Sequence, residues 1–455
     1  MVSIGARLGS CMHLHLNSAV DGEDVIDFTP AQCAYRARIR TFIATKVTPF
    51  VAEWDEAGIT PNHLRREAAA AGILSSYVHG FEDHPLLRDC VRAGVDLSDP
   101  ASQLIHAIEW SRCGGGGLCA ALLSHSIGLP PILALGSDAI KRRVAPRVLR
   151  GDAVIALAIT EPWGGSDVAN LRTTAVYDAS DDCYVCSGEK MLITSGVRAD
   201  FITIAVRTDP GKDAGLGGIS LLLLERGMKG LEQRGPLPKQ GWRSADAAHL
   251  VLTNVRVPSA NMIGSEGAGF YGIMLNFNGE RLGMAAQGVV YAALVTSAAL
   301  HHAQSRRTFG KRLADHQVIR HKLMEMTRVV KASAALLWVT CRKLQRIARS
   351  SSAGDGAAGA PPSRALIVDL ALLKVQTTKS LELCAREAMQ IAGGHGYVRG
   401  GLAAVDGDES GATYGTAPRA ELALIERMYR EVRVMAIGGG SEEVMLDLAA
   451  RQAKL

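Results

Sequence analysis

The chain has 455 residues, of which 47% are hydrophobic and 21% charged, so it has enough apolar material for a large core and is not expected to be disordered as a whole. At about 150 residues per domain, this length predicts roughly three domains and argues against a lone binding module. The formal net charge of +5, spread along the chain, is too small to indicate a nucleic-acid partner, although it suits an anionic ligand.

Residues 1–25 are interpreted as an N-terminal extension. Arg7 is the only Lys, Arg, Asp or Glu among the first 20 residues, and three serines accompany it, a composition weakly typical of a transit peptide. No run of apolar residues approaches the ~20 that a membrane span requires, so no span is predicted.

Residues 26–153 are predicted to form an N-terminal helical domain. Apolar residues recur at spacings of three and four from Tyr35 to Ile43 and from Leu64 to Leu74, which is the period of an amphipathic helix. The glycine run Gly114–Gly117 is interpreted as a flexible connection between helices, because it lacks the Gly-Lys-Ser/Thr of a phosphate-binding loop.

Residues 154–265 are predicted to form a central β-domain. Turns of Gly, Pro and Asp separate short runs rich in aliphatic and β-branched residues, at 154–160, 201–206 and 219–224.

The cysteines indicate a reducing compartment, since there are nine of them and they are scattered along the chain. Cys183 and Cys186 form a CxxC pair, but a strand sends positions three apart to opposite faces. No second pair follows, so no metal site is predicted.

Residues 266–455 are predicted to form a C-terminal helical bundle, beginning with a helix from about Phe270 to Ser305. Two stretches poor in apolar residues, 350–362 and 400–418, are predicted to be exposed or disordered loops. The last three residues, Ala453-Lys454-Leu455, differ by one substitution from a peroxisomal address, although these helix formers equally suit an ordinary helix end.

The segment Ile159–Asp167 follows a predicted strand and carries the hydroxyls of Thr160 and Ser166 beside glycines that expose backbone N–H groups. Such a turn can hold a planar ring that forms hydrogen bonds. Turns of Gly, Ser and Asp also occur without any ligand, so the composition leaves both interpretations open.

Four separated motifs, in the same order and at similar spacing, give the chain a resemblance to the acyl-CoA dehydrogenase family. They are Thr160-Glu-Pro with Gly165-Ser-Asp167, Gly188-Glu-Lys-Met-Leu-Ile-Thr194, Arg306-Arg-Thr-Phe-Gly-Lys311 and Gln390-Ile-Ala-Gly-Gly-His-Gly-Tyr397. The resemblance extends from about Phe28 to Ala450. It implies a mainly α fold with a central β-domain: an N-terminal helical domain, a middle β-barrel-like domain and a C-terminal four-helix bundle. This matches the order of helices and strands predicted from the residues.

The resemblance also implies non-covalent FAD and a homotetramer that is a dimer of dimers. Thr160, Ser166 and Thr194 would line the isoalloxazine ring, with Thr194 near flavin N5. The residues implied to contact the FAD of a neighbouring subunit are Arg306, Thr308, Phe309, Gln390, Gly393 and Gly394. From the residues alone, Arg306 could equally belong to a solvated helix end, and Gly393-Gly394 could be a helix stop.

The reaction of this family needs a general base for the α-proton of the thioester, usually a carboxylate. In most of the family it lies in a Tyr-Glu-Gly-Thr segment that aligns here with Gly438–Ser441, where Gly439 cannot serve. The isovaleryl- and long-chain-type branch carries it on the first bundle helix just before an Arg, as Glu280 stands before Arg281. Glu280 is therefore the implied base, and the Gly439 N–H would polarise the thioester carbonyl. The alternative is a surface ion pair of Glu280 and Arg281, which adjacent helix residues rarely form.

The same resemblance implies further contacts. Ser441 and, less directly, Glu443 would bear on FAD binding. The residues implied to bind substrate are Ser166, Asn278, Arg281 and Gly438. The glycines at 438–440 would make room for a branched or wide acyl group. Leu192 departs from the family, because an aromatic residue often meets the flavin at this position.

The implied function is α,β-dehydrogenation of an acyl-CoA to a trans-2-enoyl-CoA, in fatty acid or branched-chain amino acid catabolism. Electrons would pass to an electron-transfer flavoprotein in the mitochondrial matrix. One alternative is an oxidase of the same fold, for which the Ala453-Lys454-Leu455 ending would suit a peroxisome-like organelle. Another is a non-catalytic or nucleic-acid-binding relative, which would need a dense basic face that the balanced C-terminal charges do not indicate.

Overall fold

The computed structural model describes residues 16–75, 93–209, 211, 215–350, 364–401 and 419–455. The predictions for the N-terminal extension up to residue 15, and for the loops within 351–363 and 402–418, lie outside the described residues. The chain forms two compact units. The first unit comprises Met1–Ala52, Asp99–Gly116 and Arg281–Leu455, and the second comprises Glu53–Ser98 and Gly117–Glu280. The domain limits predicted from the sequence stay predictions.

Helices make up most of the described chain, and residues 16–21 are helical as well. The longer helices and single turns are α1 Pro30–Phe42, α2 Val51–Ala57, α3 His63–Ala70, α4 Pro100–Ser111, α5 Gly116–Leu122, α6 His125–Gly128, α7 Pro130–Leu135, α8 Asp138–Leu149, α9 Gly269–Ser305, α10 Gln317–Ser350, α11 Arg364–Ala392, α12 Gly394–Tyr397, α13 Arg419–Ile437 and α14 Glu442–Ala453.

Strands lie between these helical regions. They are β1 Ile155–Ala158, β2 Thr174–Asp178, β3 Cys183–Thr194, β4 Phe201–Arg207, β5 Ile219–Glu225, β6 Leu231–Arg234, β7 Ala247–Pro258 and β8 Met262–Ile263, with a small hairpin of β9 Arg307–Thr308 and β10 Lys311–Arg312. The predicted mainly α fold with a central β-domain is thereby confirmed.

Side-chain caps explain where several helices begin. Thr29 and Gln32 form a reciprocal capping box at the start of α1, and Pro30 occupies its first position. Asp99 accepts from the Ala101 N–H at the start of α4, which also opens with a proline. The helix that contains Tyr35 therefore begins at Pro30, directly after the Thr29 cap.

The interpretation of Gly114–Gly117 as a flexible connection is wrong for its second half. Gly116 and Gly117 begin α5. A Cβ added to Gly117 would lie 2.7 Å from the Trp242 Cα, so this glycine serves a close backbone approach.

The sheet of the second unit has the strand order β6-β7-β3-β2-β4-β5-β8, with β1 paired in parallel to β4. The hairpin of β2 and β3 pairs Asp178 with Cys183, and β3 continues along β7 to the pair Thr194–Ala247. One side of the sheet buries an aliphatic cluster that includes Ile204, Leu250 and Val257. Strand β3 extends beyond its pairing with β2 and reaches the turn that follows β1, where the candidate site begins.

In the first unit, α11 packs against α10, α13 and α14. The predicted long helix is confirmed as α9, and the limit between the two units falls inside it, between Glu280 and Arg281. Part of α9 is apolar enough to pass for a membrane span, but 72% of that window is buried inside the fold, as in a core helix.

Candidate active site

A tight turn after β1, the Glu161 turn (residues 159–167), carries two of the predicted cofactor residues. The Glu161 N–H donates to the Gly164 carbonyl at 3.0 Å, and the Gly164 N–H donates back at 3.1 Å. Thr160 is half-buried and Ser166 is exposed, so neither hydroxyl is sealed in the core. Gly165 packs beside Thr160, because a Cβ added to it would lie 3.7 Å from the threonine methyl group.

The carboxylate of Glu161 anchors this turn from inside the unit, where the residue is only 3% exposed. It accepts from the backbone N–H groups of Arg172 at 2.6 Å and Thr173 at 2.9 Å, and from the Thr173 hydroxyl at 2.5 Å. The Trp163 indole donates to it at 2.5 Å and the Lys190 ammonium at 2.9 Å. One carboxylate therefore joins the turn, the segment that enters β2, and β3.

Glu161 and Lys190 form a buried ion pair. Lys190 is fully buried and also donates to the Ile159 carbonyl at 3.0 Å. Burial raises the pKa of Glu161, but the Lys190 charge and the donated hydrogen bonds outweigh it and lower that pKa to about 2. Burial lowers the pKa of Lys190 to about 8, and Glu161 opposes that shift. At neutral pH the pair is therefore in its charged form.

Strand β3 brings Thr194 to the edge where the Glu161 turn lies. The Met191 N–H donates to the Thr160 carbonyl at 2.9 Å, which fixes the end of β3 to the turn. Thr194 itself is half-buried and pairs with Ala247 of β7. The structure thus joins the segments that carry Thr160, Ser166 and Thr194.

A bulge interrupts the ladder of β3 and β7 between Lys190 and Ile193. Leu192, inside the bulge, has φ +60° and is 60% exposed. Ser195 follows with φ +59°, and its buried hydroxyl has no hydrogen-bond partner among the described residues. Each such conformation costs about 1 kcal/mol in a residue with a Cβ. Strained residues of this kind cluster at functional sites.

Glu280 lies in the first half of α9. Its side chain is half-buried, whereas Arg281 is buried with 7% exposed. Adjacent helix residues point about 100° apart, which accounts for the difference. The side chain of Asn278, predicted to bind substrate, lies outside the described residues.

The segment between α13 and α14, the glycine turn (residues 438–440), contains the residues predicted beside the acyl group. The Gly438 N–H donates to the Val434 carbonyl at 2.7 Å. Gly439 and Gly440 have φ +65° and +100°, which favours residues without a Cβ. No hydrogen bond joins the Gly439 N–H to another described residue. That N–H therefore has the capacity to polarise a carbonyl.

A second buried lysine holds the glycine turn. Lys374 of α11 is fully buried, and its ammonium donates to the Gly440 carbonyl at 2.6 Å and to the Ala436 carbonyl at 3.2 Å. These carbonyls lie at the C-terminus of α13, where the helix dipole favours a cation.

Ser441, predicted to bind FAD, caps the start of α14. Its hydroxyl accepts from the Val444 N–H at 3.3 Å. Glu443 is exposed, and hydrogen bonds from its own N–H and from Ser441 lower the pKa of its carboxyl. The structure gives Ser441 a capping role, and the FAD contacts of both residues stay predictions.

A two-residue hairpin carries Phe309. Thr308 pairs with Lys311, and Phe309 and Gly310 have φ +51° and +78°, as a type I′ turn requires. Asn or Gly normally occupies the first position, so Phe309 is strained by about 1 kcal/mol. Its side chain is nevertheless 94% exposed. A strained, exposed aromatic residue is typical of a binding position.

Helix α11 stops at the predicted Gly393-Gly394 segment. Gly393 has φ +57°, and its N–H donates to the Met389 carbonyl at 2.9 Å. A Cβ added to Gly393 or Gly394 would meet no atom within 4 Å. Gln390 is exposed on the last turn of the helix. The glycines are therefore a helix stop with open space beside it, which is compatible with a bound ligand.

Two histidines bring Arg306 close to the segment after Gly394. The rings of His302, which is 1% exposed, and His395 have centroids 5.9 Å apart. Burial, and then the charges of His395 and Arg306, lower the pKa of His302 to about 4. The first unit thus places Arg306 and Gly394 in one basic region.

Four side chains at these sites escape prediction from the sequence: Glu161, Lys190, Lys374 and His302. A signal exists for Glu161, because it directly follows the predicted strand at 154–160, and Lys190 stands in the motif Gly188–Thr194. Charged residues are almost never fully buried unless they are paired. The sequence does not show which residues form the pair.

Comparison with known proteins identifies related chains. Three family domains match in order: the N-terminal domain of acyl-CoA dehydrogenase over residues 29–152, the middle domain over 156–255 and the C-terminal domain over 267–454. Acyl-CoA dehydrogenase AFT10-1 of Alternaria alternata is 31% identical over 92% of this chain and 90% of its own length. The mitochondrial long-chain specific acyl-CoA dehydrogenase of Sus scrofa is 29% identical over 93% of this chain and 87% of its own. The crystal structure of a probable acyl-CoA dehydrogenase from Mycobacterium abscessus has a TM-score of 0.77 at 34% identity, covering 93% of this chain and 99% of that chain.

Proposed function

The chain belongs to the acyl-CoA dehydrogenase family of flavoprotein oxidoreductases, and we propose that it oxidises an acyl-CoA thioester to a trans-2-enoyl-CoA with FAD as its cofactor. One observation carries the proposal. The Met191–Thr160 hydrogen bond and the Glu161–Lys190 pair hold together the segments on which the cofactor residues are predicted.

The donor set at this edge fits a flavin. The hydroxyls of Thr160, Ser166 and Thr194 can each donate and accept, as the nitrogen and oxygen atoms along an isoalloxazine ring require. The orphaned buried hydroxyl of Ser195 provides a further group beside Thr194. When bound, FAD supplies the acceptor for the hydride that leaves the substrate β-carbon.

Residues of the first unit support a contact with the FAD of a neighbouring subunit in a homotetramer. The exposed Phe309 and the open space at Gly393 and Gly394 leave room for a ligand. Arg306 adds positive charge that suits a diphosphate.

Glu280 takes the α-proton of the substrate in this proposal. Its half-buried carboxylate is neither sealed in the core nor fully solvated, which suits a group that must reach a substrate carbon and hold a proton. The glycine at 439 supports the same assignment, since no carboxylate stands there. The chain would then belong to the branch that carries its base on the first bundle helix.

The Gly439 N–H donates to the thioester carbonyl in this proposal. A donor on that oxygen stabilises the charge that develops when the α-proton leaves. Gly439 and Gly440 carry no side chains of their own, and Lys374 holds the turn through the Gly440 carbonyl. We therefore propose that the pocket accepts a branched or wide acyl group.

The electron acceptor and the compartment belong to the same proposal. We propose that an electron-transfer flavoprotein receives the electrons, as the family resemblance implies. A mitochondrial matrix location is supported by the name of the Sus scrofa relative.

A second candidate function, acyl-CoA oxidase, is favoured by one observation. Leu192, 60% exposed in its bulge, replaces the aromatic residue that often screens the flavin in the family. A smaller aliphatic side chain there would let oxygen approach the reduced ring.

The experiment that tests the function is an anaerobic titration. The purified chain is loaded with FAD and mixed with straight and branched acyl-CoA thioesters of increasing length. At least one thioester should bleach the flavin absorbance and yield its trans-2-enoyl-CoA by mass spectrometry. A chain that binds FAD but is reduced by no thioester in the panel contradicts the proposal.

The same protein separates the two acceptors. Turnover in air with peroxide formed in step with the enoyl product supports the oxidase. Turnover that requires an artificial acceptor or an electron-transfer flavoprotein supports the dehydrogenase.

A further inference from the structure

We propose that Glu161 is a positioning residue for the flavin, which sets the placement of the Glu161 turn relative to the end of β3. The inference rests on the proposed cofactor. In this inference a buried carboxylate, which touches none of the reacting atoms, controls how the hydroxyls of Thr160, Ser166 and Thr194 contact the flavin ring.

The hydrogen-bond donors to Glu161 come from three segments of the chain. Trp163 belongs to the turn, Arg172 and Thr173 lead into β2, and Lys190 belongs to β3, with donor distances from 2.5 to 2.9 Å. Lys190 adds a bond to Ile159, at the start of the turn. Three chain segments are therefore fixed to one another through one carboxylate.

Beside the Glu161 turn, the sheet leaves two residues of β3 outside its ladder. The register of β3 on β7 shifts between Lys190 and Ile193, so Met191 and Leu192 lie outside the regular ladder. Met191 is held instead by its N–H, which donates to the Thr160 carbonyl. Lys190 pairs with Leu250 in the ladder, and its side chain also donates to Glu161. The placement of this bulge thus depends on the turn, whereas Ile193 and Thr194 rejoin the ladder on β7.

Glu161 also holds the exposed side of the turn. The Trp163 ring is 44% exposed, and the Arg172 guanidinium lies over it at 5.3 Å from the ring centroid. The hydrogen bond from the Trp163 indole N–H to Glu161 still fixes the orientation of the Trp163 ring. The carboxylate therefore controls both the buried and the exposed sides of the turn.

The experiment compares three variants in the FAD-loaded chain. Glu161→Gln keeps the size of the side chain but removes the charge and one acceptor oxygen. Trp163→Phe removes the indole N–H together with its five-membered ring and keeps an aromatic ring under Arg172. Val257→Ala is the matched control, because Val257 is fully buried in β7 and pairs with Tyr184. Tyr184 lies ten residues from Thr194 along β3, roughly 30 Å away.

Three measurements are made on each variant: the melting temperature, the FAD dissociation constant and the visible circular dichroism of the bound flavin. Glu161→Gln is expected to weaken FAD binding about tenfold or more, as loss of a supporting hydrogen-bond partner does at metal sites, and to change the flavin dichroism. Val257→Ala is expected to lower the melting temperature while leaving both flavin signals at the parental values. Trp163→Phe should change the flavin dichroism with little loss of stability.

The inference is overturned if Glu161→Gln and Val257→Ala, at comparable losses of melting temperature, give the same FAD affinity and dichroism. If Glu161→Gln does not fold, Trp163→Phe decides, and parental flavin signals in that variant overturn the inference. Failure of the unaltered chain to bind FAD is a different result, since it overturns the proposed cofactor itself.

Discussion

The Glu161 turn and the glycine turn are each held by a fully buried lysine, yet the two ammonium groups donate to different kinds of acceptor. Lys190 faces the carboxylate of Glu161, whereas Lys374 donates to the carbonyls of Gly440 and Ala436 at a helix C-terminus. A carboxylate can lose its charge and a carbonyl cannot. The comparison teaches that the first turn depends on ionisation, while the second depends on hydrogen bonds to the backbone.

Lys190→Met should have the largest effect on stability, because it leaves the Glu161 carboxylate buried without its cation. Breaking a buried ion pair in this way costs about 3–5 kcal/mol. Urea unfolding of the parent and the variant measures the change in free energy. If Lys190→Met loses no more free energy of unfolding than Lys374→Met does, the distinction between the two turns is contradicted.

Acid should weaken the Glu161 turn selectively. The pKa of Glu161 is lowered to about 2 from an ordinary 4.5, so its stabilisation is complete above about pH 4.5 and disappears as the pH falls toward 2. Over that window the parent should lose up to about 3 kcal/mol more than Glu161→Gln. Urea unfolding at a series of pH values between 5 and 3 measures the slope, and parallel slopes for the two chains would contradict the assignment.

Lys374→Met should destabilise the first unit by about 1–3 kcal/mol, because the buried Ala436 carbonyl and the half-buried Gly440 carbonyl lose a charged donor. The variant should keep the acid dependence of the parent, since these acceptors do not titrate. Unfolding measured at neutral and acid pH tests both points. A flattened acid slope in Lys374→Met would erase the distinction between the turns.

Phe309 is exposed, unlike the two buried lysines, so its substitution should show the smallest change in stability. Phe309→Asn relieves the strain of a positive φ and should raise the free energy of unfolding by about 0.5–1 kcal/mol. Phe309→Ala keeps the strain and serves as the control. Both lose the ring and should weaken FAD binding in the assembled protein, measured by fluorescence. Unchanged FAD binding in both variants would remove Phe309 from the cofactor site.

The sequence predicts the long elements well, because their signals are local. The period of apolar residues locates α9, and the aliphatic runs locate β1, β4 and β5. The Gly114–Gly117 run shows the limit of local reasoning. Flexibility is a fair inference from four glycines, but the close approach of Trp242 to Gly117 is a tertiary contact.

The residues of the candidate site likewise fall into those that the sequence identifies and those that depend on tertiary contacts. The hydroxyls of Thr160 and Thr194 stand in motifs that the resemblance identifies. The pairing of Glu161 with Lys190 joins residues 29 positions apart and depends on how β3 meets the turn. The positive φ of Leu192 and Phe309 likewise comes from a bulge and a hairpin register, which residue propensities do not favour.

The central claim is that Glu280 removes the α-proton of an acyl-CoA thioester, and rapid mixing of FAD-loaded Glu280→Gln with acyl-CoA under anaerobic conditions tests it most directly. Glu325→Gln, which alters an exposed carboxylate on α10, is the matched control. Glu280→Gln should bind FAD normally and bleach its flavin at least about a hundredfold more slowly than the parent, whereas the control should match the parent. Bleaching of Glu280→Gln at the parental rate would contradict the account.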